Sequence, residues 1–289
     1  MVAPRSTARP DPREVAELRT LATRQPELAA AVALQIDLIF ALRKVQMRVA
    51  TAPLALTSED ITARLANGRP LLDFDRLSID WNEARLLFRQ VTDILRRHDA
   101  IDAASTARLH EVGRGTSRPE LARQWYEKGR TDAGIEMLDE VLGWSLRPFL
   151  ARSAEVLQQR SAFGVTNGPA NTGPPFAGWH RGVCPVCGGE PDFASILLTG
   201  ERALICSRCQ TRWPTDPFTC PYCGESRKQC ITSFATPDGF YRVMACQTCK
   251  RYLKTVDARR AGRAAMPHVD AIATLPLDAV VMQKGFTNG

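Results

Sequence analysis

Apolar residues recur at helical spacing through the first 160 residues, and short β-prone runs bounded by turn residues replace them after about residue 190. Pro26 suits the opening of a helix reaching about Val49, with Leu28, Val32, Ile36, Ile39 and Val45 on one stripe. The apolar run Leu28 to Leu42 is too short to span a bilayer and contains Gln35 and Asp37, so it reads as a buried bundle helix. A second helix is expected from Asp80, whose carboxylate with Glu83 resembles a capping box. It continues through Trp81, Ala84, Leu87, Val91 and Ile94 to the basic end Arg96 and Arg97. A third pattern follows Thr131 through Ile135, Leu138 and Leu142, then restarts at Pro148 and ends near Gln159. These periods predict an antiparallel helical bundle with Trp81, Phe88, Trp125 and Trp144 in its core. His98 and His110 lie in charged stretches and read as solvated.

Beyond the bundle, residues 161–182 form a Gly/Pro-rich linker. Two hairpins are legible after it. Phe193 to Leu198 and Arg202 to Cys206 flank Thr199-Gly200-Glu201, and Ile231 to Thr236 and Phe240 to Met244 flank Pro237-Asp238-Gly239. The expected fold class is therefore α+β: a helical domain over 1–160, then a first ribbon over 183–215 and a second over 216–289 that ends in a helical tail.

Cysteine placement gives these ribbons their chemistry. The last 106 residues hold all nine cysteines, and eight form four Cys-x-x-Cys pairs: Cys184/Cys187, Cys206/Cys209, Cys220/Cys223 and Cys246/Cys249. Such a turn presents two thiolates to one ion, and two turns complete a tetrahedral shell. Eighteen residues separate Cys187 from Cys206 and twenty-two separate Cys223 from Cys246, each enough for a hairpin, whereas the ten between Cys209 and Cys220 suit a link. One ion on Cys184, Cys187, Cys206 and Cys209 and another on Cys220, Cys223, Cys246 and Cys249 follow. The first and third knuckles both read Cys-Pro-x-Cys-Gly, which points to a tandem duplication offset by 36 residues. Disulfides, or one metal beside a redox pair, are the competing readings. Each ribbon is too small for a self-sufficient core, so chelation is expected to unfold this half and spare the helices. Cys230 lacks a Cys-x-x partner and reads as a small packed side chain, and His180 is not needed as a ligand.

Charge narrows the function classes. The formal net charge of +7 counts thiols as neutral. Eight thiolates holding two divalent ions add about −4, so the loaded protein sits near +3. A nucleic-acid reading of the basic stretch Lys250, Arg251, Lys254, Arg259, Arg260 and Arg263 weakens accordingly, and the stretch reads as a solvated loop and helix start. Met1 to Pro12 has no apolar core of a signal peptide, which points to the cytoplasm and reduced thiols. No Gly-rich phosphate loop, nucleophile elbow or other catalytic constellation stands in residues 1 to 160.

The four knuckles in order, with Pro191, Trp213 and Tyr252-Leu253-Lys254 around them and Leu277-Asp278 and Gly285-Phe286 in the tail, resemble the formate dehydrogenase accessory protein family FdhE. That resemblance implies a cytoplasmic, non-enzymatic maturation factor that binds the catalytic subunit of respiratory formate dehydrogenase before its export. It also implies rubredoxin-like sites on the eight paired cysteines. Four thiolates suit iron and zinc alike, and the resemblance tips the choice to iron. The alternatives are a rubredoxin-like iron redox protein and a nucleic-acid-binding zinc ribbon. Oligomeric state is not specified by the sequence.

Overall fold

A computed structural model describes residues 12–49, 56–164, 176 and 178–288. The N-terminal segment read above for targeting, apart from Pro12, and most of the Gly/Pro-rich stretch lie outside the described residues.

Among the described residues seven helices precede the ribbons: α1 (Arg13–Arg24), α2 (Ala29–Gln46), α3 (Ser58–Ala66), α4 (Trp81–Arg97), α5 (Ala103–Arg114), α6 (Arg118–Lys128) and α7 (Leu138–Gly164). Pro26 opens a single 3-10 turn that feeds α2, which stops at Gln46, short of Val49. The helix α1 before it was not anticipated, nor were α3, α5 and α6.

The capping box stands at α3, not α4. The Thr57 backbone N–H donates to the Asp60 carboxylate (3.0 Å) and the Asp60 N–H to the Thr57 hydroxyl (3.1 Å). Asp80 does cap α4, accepting from the N–H groups of Asn82 and Glu83. The Glu83 carboxylate instead takes a 2.8 Å ion pair from Arg48.

The third helix does not break at Pro148. Pro148 sits inside the 27-residue α7, where it removes one N–H from the ladder. Packing on both sides holds the helix through it, since Leu146, Phe149 and Leu150 are all buried.

Nor are the two histidines free in solvent. His98 Nε2 lies 2.8 Å from Asp37 on α2, and His110 Nε2 lies 2.9 Å from Asp93 on α4. Both tie neighbouring helices together. Phe88 and Trp125 are buried in the bundle, while Trp81 and Trp144 pack against its edge.

The second half is one seven-stranded sheet. Its strands are β1 (Pro191–Ile196), β2 (Arg202–Cys206), β3 (Arg212–Thr215), β4 (Ile231–Ala235), β5 (Tyr241–Cys246), β6 (Arg251–Asp257) and β7 (Thr287–Asn288). The order is β3-β2-β1-β6-β5-β4, with β7 on β6. Each ribbon is an antiparallel three-stranded unit, and the two join where β1 runs parallel to β6, Phe193 opposite Lys254 and Ile196 opposite Asp257.

Lys250 to Lys254, read above as a solvated loop, leads into and forms much of the strand that welds the ribbons. Tyr252 and Leu253 are each 1% exposed, and buried Lys254 donates to Asp278 at 2.7 Å. Their alternation with charged residues conceals a strand whose charges are paired rather than hydrated.

Three short helices close the sheet: α8 (Ala258–Ala261), α9 (Pro267–Ala273) and α10 (Leu275–Gln283). Asp270 on α9 is fully buried and accepts from the Tyr241 hydroxyl (2.9 Å), from the Met266 N–H and from Arg263. Val281 and Phe286 pack on Val243, Ala245 and Tyr252. At about 1.5–3 kcal/mol for each large apolar side chain buried, this tail contributes substantially to the second ribbon.

The main core ignores the boundary between halves. It runs from Leu87 and Leu142 in the helices through Phe176 and Trp179 to Cys184, Cys206 and Trp213.

Candidate metal centre

Each Cys-x-x-Cys turn ends on a residue in the left-handed region: Gly188 (φ 71°), Gln210 (60°), Gly224 (76°) and Lys250 (60°). Glycine meets that requirement without cost at the first and third knuckles, which explains the shared Cys-Pro-x-Cys-Gly wording. Gln210 and Lys250 meet it under mild strain.

In all four turns an N–H closes back on the first cysteine's carbonyl, from Gly188 to Cys184 (3.0 Å), Gln210 to Cys206 (3.2 Å), Gly224 to Cys220 (3.0 Å) and Lys250 to Cys246 (2.9 Å). Two further N–H groups point at sulfur, from Val186 to Cys184 and from Arg208 to Cys206, each at 3.4 Å.

The β1–β2 and β4–β5 hairpins bring the turns together in two quartets. Cys184, Cys187, Cys206 and Cys209 form one, and Cys220, Cys223, Cys246 and Cys249 the other, every ligand atom within 4.8 Å of its partners. Sulfur separations are 3.4 Å for Cys187–Cys206, 3.5 Å for Cys184–Cys209, 3.6 Å for Cys223–Cys246 and 3.8 Å for Cys220–Cys249. Metal–sulfur bonds of ~2.3 Å at tetrahedral angles place sulfurs ~3.75 Å apart, whereas a disulfide requires ~2.05 Å. The two four-cysteine clusters thus fit two tetrahedral metal sites. Cys230 and His180 belong to neither.

The surroundings of the quartets differ. The first is sealed: its cysteines are 0–3% exposed, and burial pushes the Cys184 and Cys209 thiols up. The Leu71 and Leu72 N–H groups donate to the carbonyls of Pro185 and Val186, between the first pair of ligands. Arg208, between the second pair, donates to the carbonyls of Tyr126 (2.7 Å) and Trp125 (3.2 Å) at the end of α6. The first cage is therefore built into the helical half, contrary to the expectation that chelation spares the helices.

The second quartet lies at the surface. Cys223 is exposed and Cys249 half-buried, although burial still pushes the Cys220 thiol up to about 12.

These eight positions were all visible in the sequence. The residues between the ligands that anchor the first cage, Arg208 above all, carried no signal, because their partners are backbone carbonyls.

No model of a known protein family matches the chain. Curated relatives do. A protein FdhE homolog of Aquifex aeolicus is 32% identical over 113 residues, covering 37% of this chain and 40% of the relative. One from Edwardsiella ictaluri is 34% identical over 113 residues, 38% and 36% of the two chains. These matches span well under half the length of the relatives. A homolog from Yersinia enterocolitica aligns at 24% identity across 94% of this chain and 86% of its own. The crystal structure of the FdhE protein from Pseudomonas aeruginosa superposes with a TM-score of 0.64 at 22% identity, covering 96% of this chain and 92% of that one.

The chain is similar to FdhE proteins along nearly its whole length and shares their fold.

The FdhE fold thus comprises the helical bundle as well as the ribbons. Among the described residues no helix is long and apolar enough to cross a membrane.

Proposed function

We propose that this chain is a non-enzymatic accessory factor of respiratory formate dehydrogenase. It acts in the cytoplasm, binding that enzyme's catalytic subunit before export, and carries two metal ions on Cys184, Cys187, Cys206, Cys209 and on Cys220, Cys223, Cys246, Cys249. The observation that carries this reading is the pair of four-cysteine clusters in one sheet within a chain that shares the FdhE fold. Tetrathiolate ions supply fold and, as iron, one-electron chemistry. Iron is the ion proposed here, with zinc the alternative that a visible spectrum separates.

The basic residues of the nucleic-acid reading are largely spoken for. Arg251 pairs with Glu190, Arg259 with Asp257 and Arg263 with Asp270. That neutralisation favours a protein partner over a polyanion.

Tagged protein isolated from its own cells should retain the formate dehydrogenase catalytic subunit, and deletion of the gene should abolish respiratory formate oxidation. Failure to retain that subunit, together with intact formate oxidation in the deletion strain, overturns the reading. The ligand assignment is tested separately: the intact protein should hold two ions per chain, and joint replacement of Cys184 and Cys206 by Ser should leave one.

A further inference from the structure

Two arginines carry buried, unpartnered guanidinium nitrogens and form no ion pair with a carboxylate. Arg202, on β2, is 4% exposed. Its Nη1 donates weakly to the Pro217 carbonyl at 3.3 Å, while Nε and Nη2 are fully buried with no hydrogen-bond partner. Arg147, on α7, donates through Nη2 to the Ser207 carbonyl at 2.8 Å and lies 4.4 Å above the Trp144 ring, with Nε buried and unpartnered. Neither forms an ion pair among the described residues, although Arg251, Arg259 and Arg263 all do.

A guanidinium cannot escape the cost by losing its proton, and an uncompensated buried charge costs several kcal/mol. Neither charge is balanced by an ion pair with a carboxylate. The fold places each beside one cage. Arg202 shares a small cavity with Cys220 and Cys246, and Arg147 shares a cavity of about 720 Å³ with Cys209. Arg147 also grips Ser207, the residue after Cys206. Four thiolates around a divalent ion carry a net charge of about −2, and around a trivalent ion about −1.

We infer that Arg202 and Arg147 are the counter-charges of the two cages, Arg202 for the Cys220–Cys249 quartet and Arg147 for the Cys184–Cys209 quartet, each favouring the fully deprotonated, metal-loaded state. This rests on the ligand assignment proposed above. Burial lowers the proton affinity of both guanidiniums; Tyr222, Cys220 and Asp216 oppose that loss at Arg202, and Asp192, Cys206 and Cys209 oppose it at Arg147. Asp192 lines a cavity with Arg147 and adds a negative charge there, but it forms no ion pair with the guanidinium and one of its carboxylate oxygens has no hydrogen-bond partner. Strand β2 carries Arg202 at one end and the ligand Cys206 at the other, so one strand serves both sites.

The experiment uses the full chain loaded with zinc and follows release of each equivalent to a colorimetric chelator. The parent must first bind two equivalents; fewer would defeat the ligand assignment and not this inference. With two bound, Arg202→Gln should speed release from the second quartet by about tenfold or more and leave the first unchanged, and Arg147→Gln should do the reverse. Arg202→Lys and Arg147→Lys, which keep the charge, should release as the parent does. Parental rates in the Gln variants, equal losses in Gln and Lys, or acceleration of both equivalents together would each overturn the assignment. Should a Gln variant fail to fold, its Lys counterpart decides: parental release supports a charge role, and accelerated release overturns it.

Discussion

Gly182 lies against Pro221 so closely that a Cβ on Gly182 would fall 1.8 Å from the Pro221 carbonyl oxygen. One residue enters the first knuckle and the other stands inside the third, so this contact is where the two cages meet. The Tyr222 hydroxyl, next in chain, donates to the Pro191 carbonyl at 3.0 Å, and Arg251 lies over the Tyr222 ring at 3.6 Å. The ribbons are thereby locked as one body, beyond the β1–β6 pairing.

Gly182→Ala should therefore push the third knuckle away. The obstructing atom is backbone, which cannot rotate aside, so a loss of about 1–3 kcal/mol is expected, as for overpacked cores. Gly178→Ala, with nothing within 4 Å of its new Cβ, should stay near parental stability. Denaturant unfolding of the loaded proteins measures both, and equal midpoints for the two variants would refute the contact.

Metal removal should be ordered. The first quartet is sealed under helices, whereas Cys223 is exposed, so a chelator or thiol reagent reaches the second quartet first. Release is expected in two phases. The fast phase should leave the helical circular dichroism signal in place, because α1 to α7 do not support the outer cage. The slow phase should erode it, because the first cage shares the helices' core and holds Leu71 and Leu72 through its carbonyls. Cys223→Ser should remove only the fast phase. A single phase, or loss of helical signal in the fast one, would contradict this architecture.

What could be read in advance was whatever depends on local spacing. The knuckles, the two hairpins and the long α2 and α4 periods announce themselves within a dozen residues. β6 did not, because Lys254 and Arg251 look solvated until Asp278 and Glu190, supplied from distant segments, neutralise them. Likewise Pro148 reads as a stop, and only the tertiary packing of Phe149 and Leu150 carries α7 through it. The dependence of the first cage on the bundle was equally hidden: it runs through the carbonyls of Trp125, Tyr126, Pro185 and Val186, groups every residue possesses.

His268 gives the fold a pH dependence of definite sign. It stacks on Trp144 with ring centroids 6.1 Å apart, and its two nitrogens lie 3.2 Å from the Gln35 amide and 2.8 Å from the Gln210 amide. Burial, reinforced by Arg147 and Arg43, pushes its pKa down from the ordinary value of 6.5 to about 3. The imidazole is therefore neutral in the folded protein. Between those two pH values the unfolded chain binds a proton that the folded chain refuses, so stability rises with pH across the window and is lost as pH falls. From pH 7 to 5.5 this one group should cost about 1 kcal/mol. His268→Gln keeps an amide within reach of both glutamines and cannot titrate, so its stability should fall by about 1 kcal/mol less than the parent's over the same interval. Thiolate protonation affects both proteins alike and cancels in the difference. Parallel pH profiles would show that His268 takes up its proton without leaving its pocket.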